Sequence, residues 1–125
     1  MTLSPRHKMG QAGTAVVEVA LLLPLLTSLL LAIIGGSLLM NTIGSLHYAV
    51  EGAARCAGIN AASCTTTAAT QSYAASLYTG PSSPTPVFTA STQTCGNQVS
   101  GSITYVLDVA VAEWTIPLSA TACFP

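Results

Sequence analysis

The chain has 125 residues, of which half are hydrophobic and only 6% are charged, and its formal net charge is −1. A soluble globular domain carries about a quarter charged residues, so the composition favours a membrane or exported protein with at most one small domain. With three lysines and arginines in total, the chain lacks the basic surface that nucleic-acid binding requires.

A long apolar stretch lies near the N-terminus. Arg6 and Lys8 precede it, and no charged residue occurs between Glu18 and Glu51. As a helix, the 22 residues from Val19 to Met40 rise about 33 Å, enough for a bilayer core of about 30 Å. A signal-peptide core of about 7–15 residues would be shorter. The stretch therefore predicts one membrane helix, and the positive-inside rule predicts a cytoplasmic N-terminus.

Glu18 stands at the head of this stretch, where a carboxylate is unexpected. At the centre of a membrane helix it would cost about 2.5–3.5 kcal/mol, and less near the interface. One interpretation is that Glu18 only marks the aqueous edge, where the helix dipole favours a negative charge. The other is that it has a function that offsets the cost.

Two further features interrupt the apolar stretch. Pro24 cannot donate a hydrogen bond to the carbonyl of Ala20, which predicts a helix kink there, with or without a functional role. Small residues recur at every fourth position at Ser28, Ala32 and Gly36, which predicts a face for close helix packing. In a leucine-rich background this spacing can also arise by chance.

The helix is predicted to continue beyond the membrane. Apolar residues follow helical spacing after Met40, and Gly58 and Asn60 are stop signals; the stripe consists of Ile43, Leu46, Val50, Ala53, Ala54 and Ala57. The predicted organisation is a transmembrane helix over residues 14–40, an external extension over 41–57 and a small domain over 58–125.

All four cysteines lie after the membrane stretch. This placement favours an oxidising compartment and two disulfides, although four reduced cysteines remain an alternative. The spacing contains no C-x-x-C pair, so a zinc or redox site is not expected. Of the three possible pairings we favour Cys56 with Cys64 and Cys95 with Cys123, which would join a helix end and a strand region respectively.

The C-terminal part predicts a helix followed by strands. A threonine-capped helix is expected from about Thr66 to Tyr78, and β-branched content predicts strands in VFTAST, QVSGSITYVLDVAV and SATACF. The expected fold class is α+β, a long N-terminal helix whose first half spans the membrane, followed by a small disulfide-stapled domain of a helix and β-strands. For the aromatic residues of the strand region, Tyr105, Trp114 and Phe124, we favour core packing; the alternative is that they are exposed and contact neighbouring molecules.

The sequence offers no basis for enzymatic activity. His47 is isolated on the predicted helix, Asp108 and Glu113 are the only acidic residues after Glu51, and no catalytic or metal-ligand motif occurs. We therefore expect no catalytic residue, no cofactor, no metal, and no small-molecule or nucleic-acid partner.

Gly13 and Glu18, five residues apart, complete a pattern that resembles type IV prepilins, in which a basic leader ends in glycine before an apolar helix. The stretch GTAVVEVALLLPLLTSLLLAIIGG, with AVEGAAR further on, is similar to TadE-like minor pilins, or pseudopilins, of tight-adherence pilus systems. Thr14 departs from the bulky residue common at the first mature position of major pilins, and Gly35–Gly36 from an acidic-aromatic pair.

The resemblance implies a leader over residues 1–13 that a prepilin peptidase removes between Gly13 and Thr14. It implies that Glu18 pairs with the new amine of a neighbouring subunit during pilus assembly, and that the partners are other pilin subunits and assembly proteins of the inner membrane. The C-terminal domain would be periplasmic. The alternatives are a signal-anchored envelope protein without processing, and a lipoprotein cleaved before Cys56.

Overall fold

The computed structural model describes residues 10–59, 62–109 and 112–125. Two helices, α1 (Gly10–Gly58) and α2 (Thr67–Leu77), precede three strands, β1 (Val87–Gln93), β2 (Gly96–Val109) and β3 (Ala112–Phe124). The expected α+β class is confirmed. The chain divides into two compact units whose boundary lies between Gly36 and Ser37, within α1; we call them the N-terminal unit and the C-terminal unit.

In the C-terminal unit, α1 buries one apolar stripe. Leu46 and Val50 are almost completely buried, as are the alanines that follow them one and two turns later. Because the stripe repeats at helical spacing, its members lie on one face and reach the same core. The core is formed by residues from both helices and all three strands: Leu46, Ala49, Val50, Ala53, Ala54, Ala74, Phe88, Val99, Ile103 and Ala120. The predicted extension of the helix is therefore amphipathic, and it ends at Gly58.

The short helix α2 begins at a threonine cap. The hydroxyl oxygen of Thr66 accepts a hydrogen bond from the backbone N–H of Ala69, at 3.1 Å, which satisfies one of the free donors of the first turn. The helix packs through Ala74, which is fully buried, and Thr70. Both predicted helix limits agree with the structure to within two residues, while the stop signal expected at Asn60 lies outside the described residues.

The strands form one antiparallel sheet in the order β1-β2-β3. Gln93 pairs with Gly96, so Thr94 and Cys95 form the hairpin turn. Gly96 has a φ of +117°, which side-chain-bearing residues rarely adopt, and a Cβ there would meet the backbone of Phe124 and Pro125. We therefore expect that this turn requires glycine.

β3 is longer than predicted. The sequence indicated a strand only over SATACF, but β3 begins at Ala112 and pairs with β2 as far as Val109. The first residue of β1, Val87, pairs with Ser102. Beyond this pair β2 and β3 continue as a two-strand segment within the described residues. We call residues 103–109 and 112–118 the hairpin end.

Both disulfides have the predicted pairing. Cys56 bonds to Cys64 and Cys95 bonds to Cys123. The first bridge ties the end of α1 to the segment before α2, and both of its cysteines are buried. The second ties the β1–β2 turn to the end of β3, where both cysteines are exposed. Each bridge therefore ties a chain segment outside the core elements to the end of a helix or strand.

Candidate functional site

The N-terminal unit exposes nearly all of its apolar side chains. Leu21 is 71% exposed and Leu31 67%, and the other leucines and isoleucines from position 22 to 34 exceed half exposure. The helix is the one candidate membrane span among the described residues, with a mean hydropathy of 2.5 and no buried share in its most apolar window. Such a surface is unstable in water, because apolar area is driven out of contact with it. The helix fits a single-pass membrane anchor.

Glu18 is the only charged residue in the described part of this unit. It is exposed, and it lies one helical turn after Thr14 and five residues after Gly13 within α1. The side chain of Thr14 and residues 1–9 of the expected leader lie outside the described part. Helical spacing puts the backbone of Thr14 and Glu18 on one face, about 6 Å apart. Glu18 therefore lies one helical turn inside the end that cleavage after Gly13 would create.

Gly13 is accessible from the outside of the helix. Within 4 Å of the position that its Cβ would take, the structure has no heavy atom beyond its own helix. The glycine lies within α1.

α1 is continuous through Pro24. Two side-chain hydroxyls in the turn after the proline donate hydrogen bonds to backbone carbonyls. Thr27 donates to the carbonyl of Pro24, at 3.0 Å, and Ser28 to that of Leu25, at 2.8 Å. Side-chain hydroxyls of this kind supply the helix with hydrogen bonds where a proline has weakened its backbone ladder. The arrangement keeps polar atoms satisfied in an apolar environment, and a kink at Pro24 stays a prediction.

The predicted packing face is open. Ser28, Ala32 and Gly36 are all exposed, and no heavy atom from outside the helix lies within 4 Å of a Cβ on Gly36. Small residues at this spacing let a second helix approach the backbone closely. Among the described residues nothing covers this face, and whether a pilin helix occupies it stays a prediction.

The C-terminal unit has shallow surface grooves. One, of about 230 Å³, is lined by residues of α1 and α2: Tyr48, Glu51, Gly52, Arg55, Tyr73 and Leu77. Another groove, of about 160 Å³, is lined mainly by hydroxyl and amide side chains: Thr65, Thr66, Thr67, Thr70, Ser91, Thr92, Asn97 and Gln98. Among the described residues, no three histidine, cysteine or carboxylate side chains are close enough to hold a metal.

Tyr78 has a buried hydroxyl oxygen without a hydrogen-bond partner. Its ring makes an edge contact with Phe88, with the centroids 6.3 Å apart. Burial raises the pKa of this phenol above its ordinary value of 10.0, because desolvation disfavours the phenolate. The hydroxyl therefore stays neutral at physiological pH and serves in packing.

The hairpin end carries an exposed indole. Trp114 is 58% exposed, so the preferred expectation of core packing was wrong for this residue and the exposed alternative holds, whereas Phe124 does pack against the core. Trp114 pairs with Leu107, and Asp108 with Glu113. This surface could have been found only by predicting the full length of β3. Pro117 worked against that prediction, because proline is uncommon within strands.

The comparisons with known proteins point to one family. Residues 13–55 match the model of the TadE-like protein family, about a third of the chain, and the match begins at Gly13 and ends at Arg55. No curated protein and no solved structure shows significant similarity to the chain. The matched segment includes Glu18, Pro24 and the whole apolar stretch. Residues 13–55 are therefore similar to the TadE-like family.

Proposed function

We propose that the protein is a minor pilin, or pseudopilin, which a prepilin peptidase cleaves between Gly13 and Thr14 and which then takes part in assembling a tight-adherence pilus for adhesion and surface attachment. The observation that carries the proposal is the position of Gly13 and Glu18, five residues apart, at the head of an exposed apolar helix that matches the TadE-like family.

The physical reason lies in the charges at the membrane edge. The precursor carries Arg6 and Lys8 before the apolar stretch, and cleavage would remove both and leave an α-amine on Thr14. A carboxylate and an amine that are each costly in lipid become tolerable as a pair. Glu18 of one subunit would therefore hold the N-terminus of the next, so that processing prepares the chain for assembly.

The N-terminal unit would act as the membrane anchor before assembly and as the packing element after it. Its exposed apolar surface and its open face at Ser28, Ala32 and Gly36 suit contact first with lipid and then with other pilin helices. A kink at Pro24 would adjust that packing. The C-terminal unit would lie in the periplasm, where its two disulfides are stable.

Cleavage is tested with a matched pair of glycine variants. We expect Gly13→Leu to abolish removal of the leader by a co-produced prepilin peptidase. Gly10→Leu should leave cleavage intact, because Ala15, not a glutamate, stands five residues after Gly10. The measurement is the gel mobility and N-terminal sequence of the chain in membranes. Equal cleavage of both variants would overturn the assignment of the site.

The role of Glu18 is tested separately. Glu18→Gln should be inserted, cleaved and disulfide-bonded like the wild type, but should reduce pilus formation strongly because the amine of the neighbouring subunit loses its partner. Glu18→Asp is the control, since it keeps a carboxylate at the same position of the helix and should preserve pilus formation. Normal piliation of Glu18→Gln, scored by electron microscopy, would contradict the proposed pairing.

A further inference from the structure

The hairpin end carries an exposed indole beside two carboxylates. Trp114 is 58% exposed, and Asp108 and Glu113 face each other in register as exposed residues. Like charges directly opposite across antiparallel strands repel each other. Within the part of the chain that the structure describes, neither carboxylate has an ion-pair partner. The hairpin end therefore presents an aromatic face and an uncompensated negative charge.

The groove between α1 and α2 has the complementary chemistry. Arg55 is exposed and lines this groove together with Tyr48 and Tyr73, and Tyr48 is 64% exposed. Arg55 is also the only lysine or arginine in the sequence after Lys8. A copy of this chain can thus offer one permanent cation outside the expected leader, and it lies in an aromatic groove.

We propose that the hairpin end of one copy docks into the α1–α2 groove of a second copy. Trp114 then stacks on the guanidinium of Arg55, a contact that aromatic faces and arginine favour. Asp108 and Glu113 lie beside the same cation and lose their mutual repulsion. The charges favour this occupant, because two exposed carboxylates lie on the hairpin end, whereas the one lysine or arginine outside the expected leader lies in the groove, beside Glu51.

Glu51 allows the direction of a charge effect on the docking to be tested. It lines the same groove as Arg55, so it competes with the incoming carboxylates for the guanidinium and repels them. Removing its charge therefore strengthens the contact between copies. A residue with a merely structural role on the surface of α1 would not have this effect.

The experiment uses the full chain in native membranes with the photocrosslinking residue p-benzoylphenylalanine in place of Tyr48. We expect an adduct of two copies. Its yield should fall at least about threefold in Trp114→Ala and in Arg55→Glu, as expected for the loss of an exposed charged contact. It should return when Arg55→Glu is combined with Asp108→Lys and Glu113→Lys, and it should rise in Glu51→Gln.

The matched control places the same photocrosslinker at Ala75, which is exposed on α2 about half a turn away from Tyr73. We expect little adduct from this position. The docking is overturned if the adduct from position 48 is insensitive to Trp114 and Arg55, if the charge reversal fails to restore it, or if position 75 gives the same yield.

The inference rests on the proposed role as a pilus subunit, but the two can fail separately. The N-terminal mass of the chain in the same membranes reports on processing. An unprocessed chain that still forms the adduct overturns the proposed function alone. A chain that begins at Thr14 and forms no adduct overturns the docking alone.

Discussion

α1 passes through both units of the chain but behaves differently in each. Before Gly36 its leucines and isoleucines are exposed, while after Ser37 the apolar residues of one stripe are buried by the sheet and α2. The C-terminal unit thus buries its apolar stripe within the chain, whereas the apolar surface of the N-terminal unit can be covered only by lipid or by other helices. The same helix is structural in one unit and an interaction surface in the other.

The largest expected effect compares two leucines of α1. Leu46 is 1% exposed and Leu29 is 56% exposed. Leu46→Ala should destabilise the C-terminal unit by about 2–5 kcal/mol, because it leaves a cavity in the core. Leu29→Ala should change the same quantity by less than about 0.5 kcal/mol. The measurement is urea unfolding of the full chain in detergent micelles, followed by near-ultraviolet circular dichroism. Equal effects would remove the distinction between the units.

The disulfides sharpen the comparison, since both lie in the C-terminal unit. Replacing Cys95 and Cys123 together by alanine should lower the stability of that unit by about 3 kcal/mol, because the bridge closes a long loop in the unfolded chain. The sequence separation is 28 residues. Membrane insertion of the N-terminal unit should not change, which carbonate extraction of membranes measures. Loss of insertion would show that the units depend on each other.

Tyr78→Phe should have the smallest effect. Removing an unsatisfied buried hydroxyl should leave the stability at pH 7 unchanged or raise it by up to about 1 kcal/mol. Because burial raises the pKa of Tyr78, the folded state of the wild type holds this proton more tightly than the unfolded state. The wild type should therefore lose stability as the pH rises above about 10, and the variant should lose less.

Tyr48→Phe is the control for this prediction, since Tyr48 is largely exposed. The unfolding free energies of the three chains are measured between pH 8 and pH 11, about the range in which a phenol ionises. If Tyr78→Phe lowered the stability at pH 7 markedly, the hydroxyl would have a partner that the structure does not show. An identical pH profile for Tyr78→Phe and the wild type would contradict the raised pKa.

The sequence predicted those parts of the fold that depend on local spacing. The apolar stripe that includes Leu46 and Val50 follows the helical period, and Thr66 is a typical cap for α2. The cysteine pairing also followed from chain order. The full length of β3 did not, because Pro117 weakens the strand signal and is tolerated only because β3 is an edge strand.

The exposure of Trp114 depends on tertiary structure and could not be predicted from its residue type. Large aromatic residues are usually buried, but β1 stops opposite Ser102, before the sheet reaches Trp114. The role of Glu18 is hidden for another reason. Its predicted partner is the N-terminus of a second chain, and a single sequence or a single structure contains only one half of that pair.

The most direct test of processing is the intact mass of the wild-type chain isolated from cells that produce the pilus. We predict a chain that begins at Thr14, with or without methylation, and that retains both disulfides. The fraction bound to the pilus should contain only this form. A chain that begins at Met1 or Thr2 in that fraction would contradict the account and favour a signal-anchored protein, and one that begins at Cys56 would favour a lipoprotein.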